Sequence, residues 1–506
     1  GVGTYSVRIS PQTLVYLSAL CASLTSVLLG YDVGVMSAAI LYIQDDLSLS
    51  ATEAEIVVGS LNLVAAFGGL VAGKASDKMG RRMAIALACG LFIAGAGLMT
   101  TARGFIQLLA GRLVTGVGVG CGFVVSPVYI TEITPPAKRG MLVSFTDISI
   151  NFGILLGYAT GFACQQLIPS QTLTWRVMVG LGVLPPAVIM ICLGWLPESP
   201  RWLIMHGRYR EGFKVLCRVI EDEGEARATL GVIVNSIKAR TGSQREPGWG
   251  EILCPSDKVL QAALFVGVGL GFWQQASGSE AAVYYTPHVL QGAGLTRRGP
   301  LLLGTVAVGT FKLGGEIVAA LLLDRIGRRP LFISSSVLCT VSLALLSASL
   351  WLGWSATATL GVLCLFMGCF SLGVGPLTFV VAAEIFPLQV RGKAVSLAVF
   401  VNRFLSGTIA ATFLSFSQAV TPAGAFLFFS VVSLCSVIFY VLCVPETRGK
   451  TLEQIEEDLA KEFHLGDPHS KWDGGPSLSQ AVNMRQYPSN ERLVSSLSSG
   501  KLVAAV

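Results

Sequence analysis

Runs of about twenty predominantly apolar residues recur from one end of this chain to the other, each long enough to cross a hydrocarbon core of roughly 30 Å as a helix. Twelve are readable, at 13–41, 53–73, 83–102, 106–131, 142–165, 174–196, 258–290, 300–323, 330–353, 358–384, 393–419 and 422–444. Inside lipid every backbone N–H and C=O must be bonded within the protein, which makes each such span helical. The chain is therefore expected to be an all-α membrane protein with twelve transmembrane helices. Composition agrees: 13% of residues are charged, against about 25% in soluble domains.

Between the spans, the basic residues fall on one side. Loops after even-numbered spans carry Lys74, Lys78, Arg81, Arg82, Lys138, Arg139, Arg325, Arg328, Arg329, Arg391 and Lys393, whereas odd-numbered loops carry only Arg103, Arg297 and Arg298. The positive-inside rule then places both termini and the loop 197–257 in the cytoplasm. The net charge of +6 follows from this topology and does not point to nucleic acid. The expected organisation is an N-terminal segment (1–12), a six-helix bundle (13–196), a cytoplasmic helical linker (197–257), a second six-helix bundle (258–444) and a tail (445–506) disordered after about 465. The opening residues do not resemble a signal peptide, so the first span is expected to be retained. Twelve cysteines are scattered without a CxxC pair, and neither metal nor cofactor is expected.

The chain repeats itself. Asp77-Lys78-Met79-Gly80-Arg81-Arg82 returns as Asp324-Arg325-Ile326-Gly327-Arg328-Arg329. Glu132-Ile133-Thr134-Pro135 with Arg139 returns as Glu384-Ile385-Phe386-Pro387 with Arg391, and Pro197-Glu198-Ser199-Pro200-Arg201 as Pro445-Glu446-Thr447-Arg448. Two six-helix halves repeated about an axis along the membrane normal are a layout of alternating-access transporters. Carboxylates facing guanidinium groups at these spacings are expected to act as ionic latches that hold the halves together on the cytoplasmic side. The alternative is a set of topology signals on solvated loops.

Asp32 stands inside the first span, where a charge costs about 2.5–3.5 kcal/mol on insertion scales and is functional by default. Arg112 lies at a similar depth in the fourth span. An ionised Asp32 held by Arg112 and released on protonation would couple movement to a proton gradient; the alternative is a static ion pair. Gly278 inside the seventh span predicts a break near the midplane, which is tolerated only beside a cavity.

The paired D-x-x-G-R-R loops, Pro197–Trp202, Pro445–Gly449 and Gly111–Gly120 resemble the sugar porter family of the major facilitator superfamily. Gly30–Ser37, Gly153–Tyr158, Gln274–Gly278 and Val401–Gly407 are most similar to its plant-type polyol/monosaccharide–proton symporters. The resemblance implies that Gln274 and Gln275 bind sugar hydroxyls, that Tyr284, Tyr285 and Phe379 supply aromatic walls, and that Asn402 faces the ligand; the alternatives are interhelical glue for the two glutamines and helix packing for Asn402. It also marks departures. Glu280 stands where glucose-type members have Asn, Ile154 where they have Gln, and Phe379 where most have Trp. Lys312 and Arg403 fit the polyol pattern, whereas Glu316 departs from it. Lys312 and Glu316, four residues apart, are positioned to neutralise each other, and Arg403 is a candidate partner for Glu280.

These features imply a monomeric proton-coupled symporter whose partners are protons, the lipid bilayer and a small polyol or monosaccharide, in the plasma membrane. A facilitative carrier with Asp32 locked is the alternative, and a non-transporting sugar receptor a more distant one. No nucleophile motif or nucleotide loop supports an enzyme.

Overall fold

A computed structural model of the chain describes residues 10–135, 138–242, 248–387, 390–450 and 452–463. Residues 1–9, the tail expected to be disordered after about 465, and the side chains of Arg139 and Asp324 lie outside that set. The described chain is helical, and twelve segments are long and apolar enough to cross a membrane.

The first half comprises α1 (Pro11–Leu47), α2 (Ala51–Met79), α3 (Arg81–Thr100), α4 (Phe105–Ile133), α5 (Arg139–Leu167) and a sixth span divided into α6 (Gln171–Leu181) and α7 (Leu184–Leu193). Four short helices follow, α8 (Pro200–Met205), α9 (Tyr209–Val219), α10 (Glu223–Gly242) and α11 (Trp249–Leu253). The second half comprises a divided seventh span, α12 (Lys258–Ala276) and α13 (Ser279–Gly292), then α14 (Arg298–Ile326) and α15 (Arg328–Trp351). Its tenth span is also divided, into α16 (Ala356–Leu372) and α17 (Val374–Ile385), and is followed by α18 (Arg391–Val420) and α19 (Pro422–Cys443). Helix α20 (Leu452–Glu462) closes the described chain. The first span runs six residues past its apolar stretch because Ser48 ends it only after Asp45 and Asp46, which project beyond the core.

The repeat seen in sequence has a structural counterpart. Gly80 and Gly327 turn the chain with matching positive φ of 94° and 103°. Each then starts a helix whose first amides donate to a carboxylate from the end of the same half. Glu198 accepts from Arg81 N (3.0 Å) and Arg82 N (3.2 Å), and Glu446 accepts from Arg328 N (3.0 Å) and Arg329 N (3.1 Å). A Cβ on Gly80 would sit 2.7 Å from Glu198 Oε2, and on Gly327 2.9 Å from Glu446 Oε2. Glycine is required there twice over, by dihedral and by space.

Around these turns the acids and bases pair inside each half. Arg81 meets Asp77 at 2.9 Å and Glu132 at 2.8 Å, while Arg82 donates to Leu193 O. In the second half Arg328 meets Glu384 at 3.3 Å, Thr447 donates to Glu384, Arg329 donates to Val441 O, Arg391 to Phe386 O, and Arg448 to Arg325 O. Among the described residues Arg201 joins neither cluster. Among the described residues these charges clasp each half to itself, where the sequence led us to expect latches between halves. The reason is local: each Pro-Glu motif ends a span adjacent to the glycine turn of its own half.

The halves are bonded to each other toward the opposite, far face. Asp45 pairs with Arg298, and Ser415 donates through its N (2.8 Å) and Oγ to Glu55. Tyr158 donates to Val283 O at 2.6 Å and Asn62 to the Tyr284 hydroxyl at 3.3 Å. Between these, a Cβ on Gly407 of α18 would lie 2.6 Å from Leu63 N of α2, so the two backbones touch as small residues allow in membranes.

Candidate functional site

The break expected in the seventh span is present: α12 ends at Ala276, Gly278 has φ 78°, and α13 restarts at Ser279. A second break, at Gly373 between α16 and α17, was not visible in the sequence. The two breaks face each other. Gln274, on the last turn of α12, donates to Gly375 O at 2.7 Å and Val374 O at 3.3 Å. Irregular backbone at membrane depth is thus bonded by a side-chain amide.

Asn402 of α18 is the hub of this region. It donates to Gln274 Oε1 (2.6 Å) and Gly271 O (2.9 Å), and its own oxygen accepts from Gln275 (3.3 Å) and from Arg403 Nε (3.0 Å) and Nη2 (2.7 Å). Ser279 donates to Gln275 at 3.4 Å. Arg403 also approaches Glu280 at 3.9 Å and lies over the Phe123 ring, whose edge meets Phe379 at 6.0 Å. Among the described residues, Glu280 Oε2 and Asn62 Oδ1 are buried without hydrogen-bond partners. The arrangement offers amides, a carboxylate, a guanidinium and aromatic edges, which suits a polyhydroxylated solute.

Several expected contacts sit elsewhere. Tyr285 turns away, donating to Ala410 O at 2.6 Å and stacking on Phe413 at 5.3 Å. The backbone of Ile154 packs against α1, its carbonyl closing over Gly34. Asp147 of α5 opens toward the second half, lining a cleft with Glu316. Sequence reasoning passed over Asp147, although a carboxylate in the fifth span carries the same signal as Asp32. Lys312 and Glu316 make no ion pair among the described residues; the Lys312 ammonium lies over the Phe370 ring at 5.7 Å.

Asp32 and Arg112 do meet. They form an ion pair with Arg112 0% and Asp32 4% exposed. Arg112 further donates to Val57 O (2.9 Å) and Val58 O (3.0 Å) of α2, so a charge in a dry site is satisfied on three sides.

A family profile described as "Sugar (and other) transporter" matches residues 18–459. The chain belongs to that family. It is a multi-pass membrane transporter and not an enzyme. It is 44% identical over 463 residues to the probable polyol transporter 4 of Arabidopsis thaliana, covering 89% of this chain and 87% of that one. It is 38% identical to polyol transporter 5 of the same plant, with 91% and 89% covered. Among solved structures it resembles the xylose transporter XylE from E. coli in its inward open conformation, at TM-score 0.74 and 26% identity, covering 88% of this chain and 99% of that one. Both halves of the transporter, with the helical linker, fall inside these matches.

Proposed function

We propose that this transporter is a proton-coupled symporter importing polyols and monosaccharides by alternating access. The observation that carries the proposal is the dry Asp32–Arg112 pair and its connection, through α2, to the sugar-facing region. Arg112 holds the α2 carbonyls of Val57 and Val58, and α2 carries Asn62 against Tyr284 on α13, the helix of Glu280. Protonating Asp32 removes its attraction for Arg112, loosens the grip on α2, and so bears on the substrate side. The names of the Arabidopsis polyol transporters and of xylose transporter XylE support the substrate class. In this reading Gln274, Gln275, Asn402, Glu280, Tyr284 and Phe379 contact substrate, which replaces the amide bonds now made within the protein. The clasps around Glu198 and Glu446 keep each half rigid as it rocks. The basic loops, the linker and both termini face the cytoplasm, by the positive-inside rule, and the plasma membrane is the site of action for a monomeric carrier.

One observation favours a second reading. Arg112 is tied to two backbone carbonyls as well as to Asp32, as a static structural pair would be, and the protein would then be a facilitative carrier. Substrate-evoked inward current at external pH 5.5 and 7.5, across a polyol and hexose panel, separates the two. Symport predicts a current that is larger in acid and abolished in Asp32→Asn at equal surface expression. Uptake without current, unaltered by pH, would establish the facilitative carrier.

A further inference from the structure

Glu316 has no role in the site described above, and the resemblance gives it none. It sits in the half of α14 nearer the basic face, is 4% exposed, and makes no hydrogen bond or ion pair among the described residues. Its side chain lines a narrow cleft where α14 and α17 of the second half meet α5 of the first, and Asp147 of α5 lines the same cleft. Ser144 and Ile148 of α5, Pro376 and Val380 of α17, and three apolar residues of α14 complete the walls. Water centres fit within about 20 Å³ of it, room for one or two waters and far too little for a sugar.

The charged groups around the cleft are few. Asp147 from α5 and Lys312 from its own helix act on Glu316. Arg403 from α18 acts on Asp147, and Arg403 and Glu280 from α13 act on Lys312. Helix α17 adds only apolar residues to the cleft. Neither acid has an ion partner within 4.0 Å among the described residues. Two carboxylates lining one cleft at this depth repel each other, and sharing one proton relieves both the repulsion and part of the desolvation.

We propose that Asp147 and Glu316 form a second proton-binding site, a carboxylate pair that bridges the two halves and is separate from Asp32. One proton enters through the wet cleft and takes the pair from two negative charges to one, joining α5 to α14; its departure leaves two like charges that push the halves apart. The part this plays in transport rests on the symport reading, but proton occupancy does not.

Infrared difference spectroscopy of the purified full chain in lipid nanodiscs, titrated with acid, tests it. The expected result is a protonated-carboxyl stretch that titrates in the wild type and persists in Asp32→Asn. Its midpoint moves to lower pH in Glu316→Gln and in Asp147→Asn, because the acid that remains no longer faces a like charge and keeps its nearby cation. No titrating stretch in the wild type, or an unshifted midpoint in either replacement, overturns the pair. A facilitative carrier would still show the stretch, so failure of symport would be seen separately in the current assay.

Discussion

Asn402 holds more of the central region together than any other side chain. Replacing it with alanine strands Gln274 Oε1, the Gln275 amide and the Arg403 guanidinium, all now bonded to it. Leaving one buried polar group unpaired costs about 1–3 kcal/mol. Asn402→Ala is therefore expected to raise the apparent KM for substrate by about five- to a hundred-fold, measured by radiolabelled uptake with expression controlled. Phe379 poses the opposite experiment. Its ring meets Phe123 edge-on at 6.0 Å and carries no polar donor. Phe379→Trp introduces an indole N–H, and one net hydrogen bond contributes about 0.5–1.5 kcal/mol. Hexose affinity is expected to rise by up to about tenfold relative to a linear polyol, in competition uptake.

Among the elements, the broken seventh span is the most sensitive. Gly278 combines φ 78° with a position where a Cβ would lie 2.5 Å from the Phe429 ring. Gly278→Ala is expected to abolish the folded species, seen as loss of a monodisperse peak in detergent. The second-half clasp gives a gentler test with a sign in pH. Burial raises the Glu446 carboxyl, but the backbone donors at Arg448, Arg328, Arg329 and Thr447 outweigh it and hold the group below the ordinary carboxylate range. A depressed acid stabilises the fold above its unfolded pKa and loses that contribution as pH falls through its folded value. Glu446→Gln is expected to lower the thermal midpoint at neutral pH, with the difference from wild type closing in strong acid.

Much of this scale was legible in the sequence. Twelve spans, the internal repeat and the Gly278 break all follow from hydropathy, recurrence and a glycine in a helix. The Gly373 break was not, because glycine is common in membrane helices and the close approach of Leu331 O that excludes a Cβ at Gly373 comes from another span. Similarly, Asp32 announced itself as a charge in lipid, whereas the partners of the repeated arginines depend on how spans two, four and six pack. Spacing along the chain does not report that packing.

For the molecule as a whole, the far-face seam decides which side is closed. The Asp45–Arg298 pair is exposed enough, with Asp45 54% accessible, to contribute only about 0–1 kcal/mol. Glu55 is 1% exposed and accepts two bonds from Ser415, and charged hydrogen bonds contribute about 1.5–3 kcal/mol. Glu55→Gln is therefore expected to shift the conformational equilibrium toward opening at the far face by about ten-fold or more, and Asp45→Asn by less than about five-fold. Alkylation of a cysteine placed at Ser406 beneath the seam would measure both shifts.

Because each half is clasped to itself, the bonds between the halves that must be remade on every cycle are a few contacts along that seam. Transport turnover and resistance to heat are therefore controlled by different parts of the same molecule. Tightening the glycine-turn clasps should raise thermal stability at unchanged speed. Tightening the seam should instead slow the carrier while leaving it bound to its preferred side, like a door with a stronger catch.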